Sequence, residues 1–147
     1  MIGPRRPVRP AALLSLALAA PLPANATHVG DCGTWQANAR NVDWSDPTRT
    51  YAQGAIRLTG LDTGEPASAS FHIMVTFPLP DGPGADCRLI SADEGRLGFG
   101  SISLRRATAE YDARRGLTVT VPGATGMGDP ILIVFTVDQR AGTVTLP

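Results

Sequence analysis

The chain has 147 residues, and its 13 basic residues, all of them arginine, balance 13 acids, so the formal net charge is zero. Binding to nucleic acid or to an anionic membrane surface requires an excess of basic side chains, which this composition lacks. We therefore expect neither of these partners.

The first 26 residues contain the three parts of a secretory signal peptide. "MIGPRRPVRP" carries three arginines and no acid, "AALLSLALAAPL" is apolar, and "ANA" ends at Ala26. We predict a signal peptide at 1–26 and a single domain at 27–147. The apolar run is shorter than the roughly 20 residues that a spanning helix needs, so no membrane span is expected after cleavage. The alternative is an apolar N-terminal helix that the mature protein keeps.

Two cysteines, Cys32 and Cys87, remain in the predicted mature chain. An even cysteine count in an exported protein predicts a disulfide. Thiols that bind a metal or carry redox chemistry are the alternative, but the chain has no C-x-x-C motif. Together with the leader and an arginine-rich, lysine-free composition, these features predict a periplasmic or secreted bacterial protein.

Apolar and polar residues alternate with a period of two, which is typical of half-buried β-strands. The clearest case is 69–77, "ASFHIMVTF", where Ala69, Phe71, Ile73, Val75 and Phe77 share the predicted dry face and His72 lies on the wetter one. Three shorter segments alternate in the same way, at 55–59, 117–121 and 143–146. Residues 131–137, "ILIVFTV", are apolar on both faces and predict a central strand covered on both sides.

The segments between these strands are rich in Gly, Pro and Asp, and no helical period is sustained in the predicted domain. Short strands at this spacing predict an all-β fold, an antiparallel β-sandwich or small barrel of about seven to eight strands with a single disulfide. The apolar phase changes at Arg105 and Arg106, which predicts either a β-bulge or a break in the strand.

A five-residue pattern, Asp-x-Arg-x-Gly, occurs twice between predicted strands. Asp112 and Asp138 can accept hydrogen bonds from backbone N–H groups at the start of a turn. Gly116 and Gly142 come four residues later, where such a loop requires a positive φ. We predict two hairpins with similar turns.

A copper site is the sharpest chemical hypothesis. His72 and Met74 share a strand face, and imidazole with thioether suits copper, Cu(I) in particular. Met127, in a glycine-rich loop, is a candidate third ligand. Two-residue patterns of this kind are common in sheets, where Met often fills gaps, so the leading expectation is that the protein uses no cofactor.

Two tryptophans, Trp35 and Trp44, fall within the first twenty residues after the predicted cleavage. We expect Trp35 to pack over the disulfide, whereas Trp44, in the polar segment "NVDWSDP", is the better candidate for an exposed recognition residue.

No catalytic residue is assigned. Ser70 and His72 are neighbours on one strand face but stand too far apart for a hydrogen bond. The carboxylate pair Glu110 and Asp112 is the basis of a rival hypothesis, a small hydrolase.

The sequence favours an exported, non-enzymatic binding module for a protein, envelope or glycan partner, for example an inhibitor of a secreted hydrolase. The alternatives are a periplasmic copper carrier using His72 and Met74, and a structural subunit of a surface assembly.

Overall fold

The structure is a computed structural model that describes Gly3 and residues 27–147. Apart from Gly3, the predicted signal peptide lies outside the described residues. Within the described part of the chain, no helix has the length and apolar character needed to cross a membrane.

The described residues form an all-β fold with ten strands and three short 3-10 turns. The strands are β1 (His28–Asp31), β2 (Thr48–Tyr51), β3 (Ile56–Asp62), β4 (Phe71–Pro78), β5 (Ala85–Ser91), β6 (Ser101–Ile102), β7 (Thr108–Asp112), β8 (Gly116–Ala124), β9 (Pro130–Asp138) and β10 (Thr143–Thr145). The count exceeds the predicted seven or eight because several strands, such as the two-residue β6, are too short to show a periodic pattern.

The strands form two antiparallel sheets, as the prediction of an antiparallel sandwich or small barrel requires. Sheet 1 has the order β1-β5-β4-β3-β2. Sheet 2 has the order β10-β9-β8-β6, and β7 pairs with the other half of β8.

The core lies between the inner faces of the two sheets. On β4 the inner residues Ile73, Val75 and Phe77 are buried, as the alternation predicts, and β9 contributes Ile133 and Phe135 from the facing sheet. Burying each such side chain contributes about 1.5–3 kcal/mol relative to leaving it in water. Because every second residue of these strands is apolar, each sheet has one apolar face, and burial of the two faces against each other stabilises the sandwich.

Strand β9 is central in its sheet, since it lies between β8 and β10, but it is not covered on both sides. Ile133 and Phe135 face the core, whereas Leu132, on the opposite face, is 57% exposed. The prediction of a strand buried on both faces was wrong because no element of the described chain packs over this side of sheet 2 at Leu132.

The chain passes from sheet 1 to sheet 2 just before β6. Phe71 and Phe99 exchange two backbone hydrogen bonds of 3.0 and 2.7 Å, and Gly100 N–H then donates to the Ala124 carbonyl of sheet 2 at 2.8 Å. The predicted irregularity at Arg105 and Arg106 is a break: a turn separates β6 from β7, and both strands pair with β8.

The segment 32–41 crosses the outer face of sheet 1. Strand β1 lies at one edge of this sheet, whereas Val42 forms a bridge with Leu61 of β3 towards the other edge. The predicted disulfide is present and joins Cys32 to Cys87, whose side chain lies on the outer face of β5. The crossing segment therefore runs over the face that carries His72, Leu61 and Leu89, and all three of these residues are buried.

The repeated Asp-x-Arg-x-Gly segments form two adjacent hairpin turns. Asp112 Oδ1 accepts hydrogen bonds of 2.9 Å from the backbone N–H groups of Arg114 and Arg115, and Asp138 Oδ1 accepts a bond of 3.0 Å from Arg140 N–H. The N–H groups of Arg115 and Arg114 hold the pKa of Asp112 below its usual value. The glycines that end the two turns, Gly116 and Gly142, have φ angles of 100° and 65°.

Candidate recognition surface

Trp44 is the most exposed aromatic residue among the described side chains, with 80% of its surface in solvent. It lies in a tight turn formed by its neighbours. Ser45 donates to Asp43 Oδ1 through both its backbone N–H, at 2.9 Å, and its hydroxyl, at 2.7 Å. Asp43 N–H donates to the Gly60 carbonyl of β3 at 2.9 Å, so the turn is fixed to sheet 1.

A second set of contacts ties the same turn to sheet 2. Asp46 is buried, and its Oδ2 accepts a hydrogen bond of 3.0 Å from the backbone N–H of Arg105. The Arg105 guanidinium lies 3.6 Å from Asp46 Oδ1 and donates to the Ser45 carbonyl at 3.2 Å. The turn that carries Trp44 is therefore held from both sheets, while the indole itself remains in water.

This arrangement suits recognition through a single aromatic anchor. Trp and Arg are enriched among the residues that dominate binding energy at protein interfaces. Because the backbone of the turn is already ordered, a partner that receives the indole has little loop entropy left to remove. The Arg105 side chain is 75% exposed beside the turn and supplies an adjacent charged donor.

Trp35 is 54% exposed, so about half of its side chain is covered, and its packing over the disulfide stays a prediction. The 3-10 turn that contains Trp35 is fixed through its backbone, because Asn41 Nδ2 donates to the carbonyls of Trp35 and Gln36 at 2.9 and 3.0 Å. The crossing segment thus presents Trp35, which is less exposed than Trp44 in the turn that follows the segment.

The residues of the copper hypothesis lie on different parts of the fold. His72 is only 2% exposed beneath the crossing segment, and Met74 is half-buried two residues along the same face. Met127 is 90% exposed in the loop between β8 and β9, which belongs to the other sheet. The structure therefore keeps His72 and Met74 on one face of β4 and places Met127 in a loop of the other sheet.

His72 has a protein partner that the sequence did not reveal. Its Nδ1 lies 3.0 Å from the Oγ of Ser91, and both residues are buried. Burial lowers the pKa of His72 to about 4, although the negative charge of Asp62 acts in the opposite direction. The imidazole is consequently neutral at neutral pH. Ser91 was missed because the pairing of β4 with β5 joins residues 19 positions apart.

The carboxylates of the hydrolase hypothesis have separate environments. Glu110 is exposed on β7, whereas Asp112 Oδ1 is engaged by the backbone of its turn. Among the described residues, no three His, Cys, Asp or Glu side chains are grouped so that they could hold a metal ion.

No protein-family model, curated protein or solved structure matches this chain. The candidate surface therefore rests on its geometry alone. The contact that orders it, between Asp46 and Arg105, spans 59 residues, and the sequence pattern around Trp44 contains no signal for it.

Proposed function

We propose that this protein is an exported, non-enzymatic binding module that recognises a protein partner by inserting Trp44 into a pocket of that partner. The observation that carries the proposal is an 80% exposed indole on a turn that is hydrogen-bonded to both sheets. An exposed tryptophan presents a large apolar area to water, and burying that area in an interface is favourable.

The exposure of Trp44 on an ordered turn favours a protein partner. An exposed indole can fill a concave pocket of a partner, as the central anchor of an interface does. The Cys32–Cys87 disulfide and the leader-like N-terminus support export to the periplasm or the exterior.

The test is capture of partners from the exported-protein fraction of the native cell on immobilised protein, compared between the wild type and a Trp44→Ala variant. Loss of a hot-spot tryptophan costs 2 kcal/mol or more, so retention should fall by a factor of about 30 or more. The matched control is Trp35→Ala, which removes the exposed indole of the crossing segment that precedes the turn and should retain the partner. Equal capture by the wild type and Trp44→Ala would overturn the proposal.

A variant at Asp46 tests whether the hydrogen bonds that hold the turn contribute to binding in addition to the Trp44 indole. Asp46→Ala removes the carboxylate that accepts the Arg105 N–H but does not change Trp44 itself. We expect weaker binding than wild type, with most of the loss in the association step because the turn must be ordered again on binding. Unchanged kinetics would show that the tether is not part of recognition.

A further inference from the structure

The crossing segment lies over the outer face of sheet 1 without hydrogen bonds to the central strands beneath it. Within the described residues, the hydrogen bonds of the segment after Cys32 join it to itself and to the residues that flank it, and none reaches β3, β4 or β5. It is held at its two ends instead. The short edge strand β1 and the disulfide to Cys87 hold the start, and the bridge between Val42 and Leu61 holds the end.

Two polar side chains of the crossing segment are buried at a cost. Thr34 Oγ1 and Gln36 Oε1 are shielded from solvent and have no hydrogen-bond partner among the described atoms. A buried polar atom without a partner is destabilising, because the same atom would bond to water if the segment lifted. The one large apolar side chain of the segment, Trp35, is 54% exposed, so it buries little surface in compensation. The closed position therefore depends on the attachments at the two ends.

The main core of the sandwich is separate from the face that the crossing segment covers. The core cluster is formed by residues between the two sheets, and Leu61 and Leu89 of the covered face are not part of it. These two leucines are buried together with the pair His72 and Ser91, which are joined by a hydrogen bond of 3.0 Å. Lifting of the segment would therefore expose this face and leave the main core in place, as a local opening does.

The disulfide at the start of the segment is accessible to a reductant. Cys32 and Cys87 are both partly exposed, and Asp31 and Gly33 on either side of Cys32 are exposed. Exposed disulfides are the labile ones in thiol exchange. A thiolate of a dithiol reductant attacks one sulfur, which forms a mixed disulfide and releases the other cysteine as a thiolate. The second thiol of the reductant then displaces the bound cysteine, so that two electrons and two protons pass to the protein and the reductant leaves as a disulfide.

We propose that the crossing segment is a redox-controlled cover of the outer face of sheet 1. While the bond between Cys32 and Cys87 is intact, the cover is closed and the leucines and the His72–Ser91 pair beneath it are shielded from water. Reduction by a dithiol lets the segment lift while the core between the sheets stays folded. The reduced protein then presents a surface that the oxidised protein does not have. This device does not depend on the proposed partner of Trp44.

Modification of His72 by diethyl pyrocarbonate tests the proposal in a His28→Gln variant, in which His72 is the remaining histidine of the chain. One sample is kept oxidised, and the other is reduced with dithiothreitol without denaturant, blocked with iodoacetamide and freed of both reagents. We expect His72 to react at least tenfold faster in the reduced sample, while the amides of β8 and β9 stay protected from hydrogen exchange. Cys32→Ser with Cys87→Ser in the same background is the matched control and should react as fast as the reduced sample without any reductant.

Three results would overturn the redox-controlled cover. Equal rates of His72 modification in the two samples would show that the segment stays closed without the bond. A disulfide that dithiothreitol reduces only in denaturant would show that the bond is not accessible in the folded protein. Loss of amide protection in β8 and β9 on reduction would show that the bond holds the whole domain, not the cover alone. A reduced sample that is reoxidised instead of blocked should regain the slow rate, which distinguishes reversible lifting from damage.

Discussion

The outer faces of the two sheets have the same alternating strand pattern but different surroundings. On sheet 1, Leu61 and Leu89 of the outer face are fully buried, and the polar His72 and Ser91 are buried with them. On sheet 2, the outer face exposes Leu132 and carries the threonines Thr118 and Thr136, whose hydroxyls lie 2.9 Å apart. The difference arises from one connection, the segment 32–41 that crosses sheet 1.

This contrast shows that alternation identifies a strand and its two faces, but it does not decide whether the second face is covered. A chain segment from elsewhere in the sequence supplies the cover, and a disulfide fixes its start. The covering segment also carries Trp35 and leads into the turn of Trp44. The element that closes the outer face of sheet 1 is therefore the element that presents the candidate anchor.

Among the changes considered, removal of the disulfide should cost the most stability, because this bond fixes the start of the segment that covers the outer face of sheet 1. In Cys32→Ser with Cys87→Ser, the unfolded chain regains the entropy of a loop that spans 55 residues, which costs about 4 kcal/mol of stability in the chain-entropy model. Urea unfolding of the wild type and the double variant measures this difference. A double variant as stable as the wild type would show that the crossing segment holds its place without the bond.

Truncating equivalent leucines on the two outer faces should have unequal effects. Leu61→Ala removes a fully buried side chain and should destabilise the protein by about 3 kcal/mol, since the cavity adds to the lost transfer energy. Leu132→Ala is the matched control on sheet 2, where the side chain is already largely in water, and should cost less than about 1 kcal/mol. Similar losses of stability in the two variants would contradict the account of the covered face.

Lowering the pH should destabilise the protein through protonation of His72 in sheet 1. The folded protein holds its imidazole neutral with a pKa of about 4, whereas the unfolded chain protonates it near 6.5. Stability from this group is therefore constant above pH 6.5 and falls as the pH drops towards 4, by about 2 kcal/mol at pH 5.

The measurement is the free energy of unfolding against pH for the wild type and His72→Gln, which keeps a polar group that can meet Ser91. The variant should lack the loss between pH 6.5 and 4. A parallel decline in both proteins would assign the acid sensitivity to other groups.

The parts of the fold that depend on local chemistry could be predicted from the sequence. Alternation located β4 and its inner face at Ile73, Val75 and Phe77, and the even cysteine count gave the disulfide. The covered outer face could not be predicted, because its burial depends on where residues 32–41 run. The same reason hid the contacts between His72 and Ser91 and between Asp46 and Arg105, each of which joins segments distant in the chain.

The candidate site was predictable only in part. Trp44 stood out because an aromatic residue between acids in a polar segment has no apolar neighbours to pack against. The contacts of Arg105 with the turn of Trp44 could not be predicted, because the sequence around Arg105 indicates only a change of strand phase. Tyr111 shows the same limit, because its position on the inner side of β7 is typical of a core residue, yet it is 73% exposed at an edge strand.

The central claim, that Trp44 is the residue a partner covers, is tested most directly by the fluorescence of a Trp35→Phe variant, in which Trp44 is the remaining tryptophan. The free protein should emit as an indole in water, and addition of the captured partner should shift the emission to shorter wavelengths as the ring leaves solvent. An unchanged spectrum in the complex would contradict the claim, as would emission from the free protein that is already typical of a buried ring.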